Sequence, residues 1–113
     1  TNEKESREFL YADDCSDSLF KIMKNYNFFK KKNKELHLTT NKKIKIIDIA
    51  KIIKQILFKK NIQVKINPSN KKDNLQNNLN NHSNRFFNKY WKPKYTIEKG
   101  VRKIVEYYQT NKL

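Results

Sequence analysis

Arg7-Glu8-Phe9-Leu10-Tyr11-Ala12-Asp13-Asp14 is the stretch on which the reading of this chain turns. Residues 7–12 read as a short strand with Phe9 and Tyr11 on one face. Asp13 or Asp14 then suits the start of a helix, since a short carboxylate accepts from the free N–H groups there and complements the dipole. Cys15, Leu19, Ile22, Met23 and Tyr26 follow at helical spacing and predict one apolar stripe. A strand that turns directly into a helix is the signature of α/β architecture.

The rest of the chain repeats the alternation. Residues 27–35 read as a basic loop. Leu36 and Leu38 alternate with Glu35 and His37, a second short strand ending at Thr39-Thr40. The clearest helix comes next, with Ile46, Ile49, Ala50, Ile53 and Leu57 on one stripe and lysines on the other face. Ile62, Val64 and Ile66 alternate with Gln63 and Lys65, a third strand pattern that Pro68 ends. Residues 67–84 are almost wholly Asn, Lys, Ser and Asp, a loop of unusual length for a compact domain. Phe86, Phe87 and Tyr90 suggest a short helix. Pro93 precedes a final helix, capped by Thr96, with the stripe Ile97, Val101, Ile104, Val105 and Tyr108. The expected fold is therefore α/β, with about three short strands and four helices. Three strands make a thin sheet, so these stripes call for a further partner surface.

Composition narrows the classes. A chain of 113 residues is one domain or part of one. No apolar run approaches a membrane span, and nothing resembles a secretory leader. The single cysteine, Cys15, excludes an internal disulfide framework and suits a reducing compartment. Cys15, His37 and His82 are too scattered for a zinc signature, so no metal site is expected.

The formal net charge of +15 invites a nucleic-acid reading. Only three of the 26 basic residues are arginine, at Arg7, Arg85 and Arg102. Phosphate and base recognition draws on the bidentate guanidinium fork. Lys, Asn, Ile, Phe and Tyr are all encoded by A- and T-rich codons, and a biased genome fills tolerant surface positions with Lys and Asn. The lysines therefore read as surface drift, with no specific nucleic acid and no membrane expected as partner. A small basic α/β nucleic-acid-binding module is the main alternative, and a non-functional gene remnant is another.

Three blocks carry a family resemblance. Arg7 to Asp14 is similar to an Arg-Glu/Asp-Phe-Ile/Leu-Tyr/His-Val-Asp-Asp turn. Leu36-His37-Leu38-Thr39-Thr40-Asn41, followed by Ile44, Ile46, Asp48, Ile49 and Ala50, is similar to an Asn-Val-Gly-Thr/Ser-Gly segment entering a helix. Trp91-Lys92-Pro93-Lys94, then Thr96-Ile97-Glu98 and Gly100-Val101, is similar to Gly-Trp-Lys-Pro followed by Ser-Leu-Glu-Glu-Gly-Leu/Ile. In this order they resemble the C-terminal third of the NAD-dependent sugar-nucleotide epimerases and dehydratases, the extended short-chain dehydrogenase/reductase family. Arg7-Glu8-Phe9-Leu10 and the loop residue Asp73 resemble the branch that acts on a 4-keto-6-deoxymannose nucleotide. Thr39 and Asn41 stand where the family has glycine, and Asn77 near a position where it often has arginine.

The resemblance implies that residues 1–113 are the C-terminal, largely substrate-side portion of such an enzyme. The Rossmann part would lie upstream, and Thr1 in place of methionine suits that expectation. The intact protein would be cytoplasmic, would use NAD or NADP and a nucleotide-sugar substrate, and would form a homodimer. Arg7 would contact the substrate diphosphate, its planar fork suiting that anion. Lys71 and Lys72 would add point charges. An ion pair of Arg7 with Glu8 or Asp13, and a solvated loop for Lys71 and Lys72, are the plainer readings of the same residues.

The segment alone should bind no cofactor, because its one glycine, Gly100, falls in a predicted helix rather than in a phosphate-binding turn. No catalytic residue is assigned. Tyr-x-x-x-Lys occurs at Tyr26/Lys30, Tyr90/Lys94, Tyr95/Lys99 and Tyr108/Lys112, which is noise in so lysine-rich a chain. Asp13 and Asp14 fit a helix cap better than an acid/base pair. Trp91 is expected to wedge between the last helix and the sheet rather than stack on a base.

Overall fold

A computed structural model of the chain describes residues 4–69 and 85–111. Lys71, Lys72, Asp73, Asn77 and His82 lie outside the described residues. Residues 4–7, 43–69 and 96–111 form one compact unit, and residues 8–42 and 85–95 form another.

The first unit holds the sheet and two helices. Strand β1 (Ser6–Glu8), which begins in this unit, hydrogen-bonds to β2 (Lys43–Lys45) in a two-stranded sheet. The Ile46 amide continues the pairing by donating to the Glu5 carbonyl at 3.0 Å. Helix α3 (Ile46–Lys59) follows β2 directly. Asp48 in its first turn and Lys59 in its last complement the helix dipole. Its C-terminus is a Schellman motif: the Ile62 amide donates to Leu57 and the Asn61 amide to Phe58, with Asn61 left-handed at φ 63°. Helix α4 (Ile97–Asn111) packs on α3. Thr96 caps it as expected, its Oγ1 accepting from the Lys99 amide at 3.2 Å. The apolar stripe of α3 is half-buried, and the most buried residue of the helix is Ile56, which the stripe as read from the sequence leaves out. Its helical neighbour is α4, a longer-range partner than the strand that the sequence pattern offers.

The second unit is an aromatic core wrapped by two helices. Helix α1 (Ala12–Lys24) ends at Asn25, and α2 (Tyr26–Lys32) begins at once. Phe29 from α2 meets Phe87 at 5.5 Å, and Phe87 stacks on Trp91 at 5.7 Å. Phe87 lies in a short 3-10 turn, Phe87–Lys89. Leu10, Ile22, Leu36, Leu38 and Phe86 pack around these three rings. Aromatic side chains bury large areas, and edge-on contacts add to that.

Several expectations need correction. The described residues form two strands rather than three. Residues 36–39 and 62–66 form no strand, although Leu36, Leu38, Val64 and Ile66 are half-buried while Gln63 and Lys65 are exposed. Alternation decides which side chains turn inward, but a ladder needs an adjacent backbone, and none of the described residues provides one. The basic stretch 27–35 is largely helix, because Phe29 is drawn into the core and Asn33 ends the turn at φ 48°. Trp91 stacks on Phe87 in the aromatic core of the second unit.

The stripe on α1 is also corrected. The helix buries Asp14 and Ser18, with Ile22 half-buried, and turns Leu19 and Met23 outward, while Tyr26 opens α2 and is exposed. The Ser18 hydroxyl donates to the Cys15 carbonyl at 2.6 Å, which satisfies it inside the fold.

Phe87→Ala should cost about 3–5 kcal/mol in urea unfolding followed by Trp91 fluorescence, the usual loss for a fully buried phenyl ring. Phe20→Ala in the same unit should stay within about 0.5 kcal/mol, since that ring is exposed.

Candidate functional site

Arg7 stands on β1, half-buried, and its guanidinium donates to the Ser6 carbonyl at 2.8 Å. Glu8 accepts from the Thr39 hydroxyl. The Thr39 Oγ1 in turn accepts from the Asn41 amide at 3.0 Å, a side-chain turn spanning two residues. Asn41 has φ 57°, in the left-handed region. Asparagine is the residue after glycine that best tolerates this conformation. Thr39 and Asn41 thus make a defined turn at positions where the resembled family has glycine.

The densest polar construction joins the first and third sequence blocks. Asp14 is almost wholly buried, with 1% of its surface exposed. One of its carboxylate oxygens accepts from the Lys94 amide at 2.9 Å and the other from the Tyr95 amide at 3.0 Å. One turn on, Asp17 accepts from the Trp91 indole N–H at 2.9 Å, and the Lys94 ammonium lies 4.0 Å away. The rings of Tyr11 and Tyr95 pack at 4.5 Å. Two carboxylates one helical turn apart, Asp14 and Asp17, therefore hold the Trp91-Lys92-Pro93-Lys94-Tyr95 segment.

This corrects the reading of the aspartates. The N-cap position of α1 is Tyr11, and no side chain caps it. Asp13 and Asp14 lie inside the first turn, so they still complement the dipole. The oxygens of Asp14 serve two backbone amides, which removes it from acid/base chemistry. No signal in the sequence connects Asp14 with residues about eighty positions away; only the chain's return places them together.

The other singled-out residues have structural partners. Lys30 lies over the Tyr26 ring at 5.8 Å, which accounts for one Tyr-x-x-x-Lys match. Tyr95 stacks on Tyr11, which accounts for another. His37 pairs with Glu35 at 3.3 Å. Gly100 is buried within α4, its amide donating to the Thr96 carbonyl at 2.9 Å. Among the described residues no three His, Cys, Asp or Glu side chains come together as a metal site, and no helix is long and apolar enough to cross a membrane.

No family model matches the chain, and no solved structure matches it. Among curated proteins it is similar to a GDP-L-fucose synthase from Sinorhizobium fredii (strain NBRC 101917 / NGR234), 30% identical over 107 residues. The match covers 94% of this chain and 32% of that protein, so the chain spans about a third of its relative's length. The chain is thus linked, at a distance, to GDP-L-fucose synthase.

Asp14→Ala should cost about 3 kcal/mol, since it strands two amides that had charge-assisted bonds. Hydrogen exchange should show the Lys94 and Tyr95 amides losing protection. Asp14→Asn should lose about half as much, because one acceptor oxygen remains.

Proposed function

We propose that the chain is the C-terminal, largely substrate-side portion of an NAD(P)-dependent nucleotide-sugar epimerase/dehydratase of the GDP-L-fucose synthase type. The observation that carries this reading is the similarity to a GDP-L-fucose synthase along 94% of the chain. Two structural features support it. The left-handed Asn41 occupies a position where the resembled family has glycine. Asp14 of the first block holds the backbone of the third, so blocks far apart in sequence belong to one construction.

In this reading the segment helps bind the sugar nucleotide. Arg7 offers a planar fork for the diphosphate, and Lys71 and Lys72 add point charges. The dinucleotide, when bound, supplies hydride transfer at a sugar carbon. The residues here do not fit that group: Gly100 is locked in a helix, and no glycine-rich turn exists to approach a pyrophosphate. The dinucleotide therefore belongs to polypeptide beyond this segment, and the segment by itself is inactive.

In a longer protein containing this chain, Arg7→Ala should weaken nucleotide-sugar binding by about 1.5–3 kcal/mol, the usual worth of hydrogen bonds to a charged group. Cofactor affinity should be nearly unchanged. Equal losses for both would make Arg7 a structural residue of β1. Calorimetry of the isolated chain with NAD or NADP should give no heat of binding.

A further inference from the structure

The sequence marks Leu19, Met23 and Tyr26 as a core stripe, yet the structure turns all three outward. Met23 is 73% exposed, Phe20 61% and Leu19 49%. On α1 they lie on the side away from Asp14, Ser18 and Ile22, which face the interior. The next helix adds Lys30, Lys31 and Lys32, all exposed. No acidic residue occurs between Asp17 and Glu35. Lysine ammoniums sit over rings at the rim: Lys24 over Phe20 at 5.8 Å and Lys32 over Phe28 at 5.3 Å. An amphipathic helix with exposed apolar side chains and a dense lysine border has the composition of an element lying in a bilayer interface.

We propose that the outer face of α1 and α2 binds the surface of an anionic lipid bilayer. Phe20 and Met23 enter the headgroup boundary, and Lys30, Lys31 and Lys32 meet the negative headgroups. A second copy of the chain is a poor occupant, because each copy carries a net charge of +15. A protein partner is disfavoured by residue type. Protein interfaces are depleted of lysine and enriched in arginine, whereas this segment has only lysine. Lysine's hydrated point charge on a flexible stem suits a diffuse headgroup field. A peripheral contact needs no spanning helix, and it does not depend on the nucleotide-sugar reading.

The test is co-sedimentation of the full chain with phosphatidylcholine vesicles, with and without about 30% phosphatidylserine, at about 0.15 M salt. Binding should require phosphatidylserine. Phe20→Gln with Met23→Gln should lower the partition coefficient at least about tenfold, and so should Lys30, Lys31 and Lys32 all changed to Gln. Both altered sites are exposed, and unchanged Trp91 fluorescence verifies the fold. Lys51, Lys54 and Lys59 changed to Gln should leave binding nearly unaltered. Equal loss in that control would mean diffuse charge alone and would overturn the proposal. So would absence of binding, or equal binding to neutral vesicles. A dimer that the Phe20/Met23 variant dissolves, without vesicle binding, would assign the face to self-association instead. Binding to polyglutamate but not to vesicles, lost in the same variant, would assign it to an acidic protein.

Discussion

Two backbone amides on one carboxylate hold the second unit together. Asp14 accepts from Lys94 and Tyr95 with nearly its whole surface removed from water. Burying a carboxylate is expensive unless its lone pairs are satisfied. The two amides, from consecutive residues, supply that satisfaction. The same contact explains the orientation of α1. Once Asp14 is turned inward, Ser18 and Ile22 follow one and two turns later, and the apolar residues Leu19 and Met23 are carried outward. A single polar contact thus overrides the hydrophobic stripe in setting which face of the helix is buried.

The chain also solves a backbone problem with few glycines. Its only glycine is spent inside α4, and the left-handed positions among the described residues, 33, 41 and 61, are all asparagine. Asparagine pays less than other residues with a Cβ for this conformation, because its short amide can bond to the nearby backbone. Asn33 ends α2, Asn61 closes the Schellman motif of α3, and Asn41 sits in the turn that Thr39 braces. An asparagine-rich composition, taken as mere surface drift, therefore has structural uses at these three points.

Charge and chemistry separate in this molecule. The carboxylates of Asp14 and Asp17 are occupied by backbone and indole N–H groups. Several lysines lie over aromatic rings rather than around a cleft. Arg7 on β1 donates through its guanidinium to the Ser6 carbonyl.

Local patterns were readable where they depend on neighbours in sequence. Helix α3 and the Thr96 cap of α4 follow from periodicity and turn chemistry. Of the strand read over residues 7–12, by contrast, only Arg7 and Glu8 lie in β1, and residues 9–11 form no strand. The α/β class followed from the same alternation. What the pattern left open needed contacts between distant residues. Ile62 to Ile66 alternates like a strand, but pairing requires a neighbouring backbone that local sequence does not specify. The stretch 27–35 reads as a basic loop until Phe29 has an aromatic core to enter. Asp14 reads as a cap until residues 94 and 95 return to it. The sequence by itself determined where helices and turns are favoured, because those preferences act over a few residues. The tertiary structure decided which faces are buried and which carboxylates are occupied, because desolvation is settled only when distant segments meet.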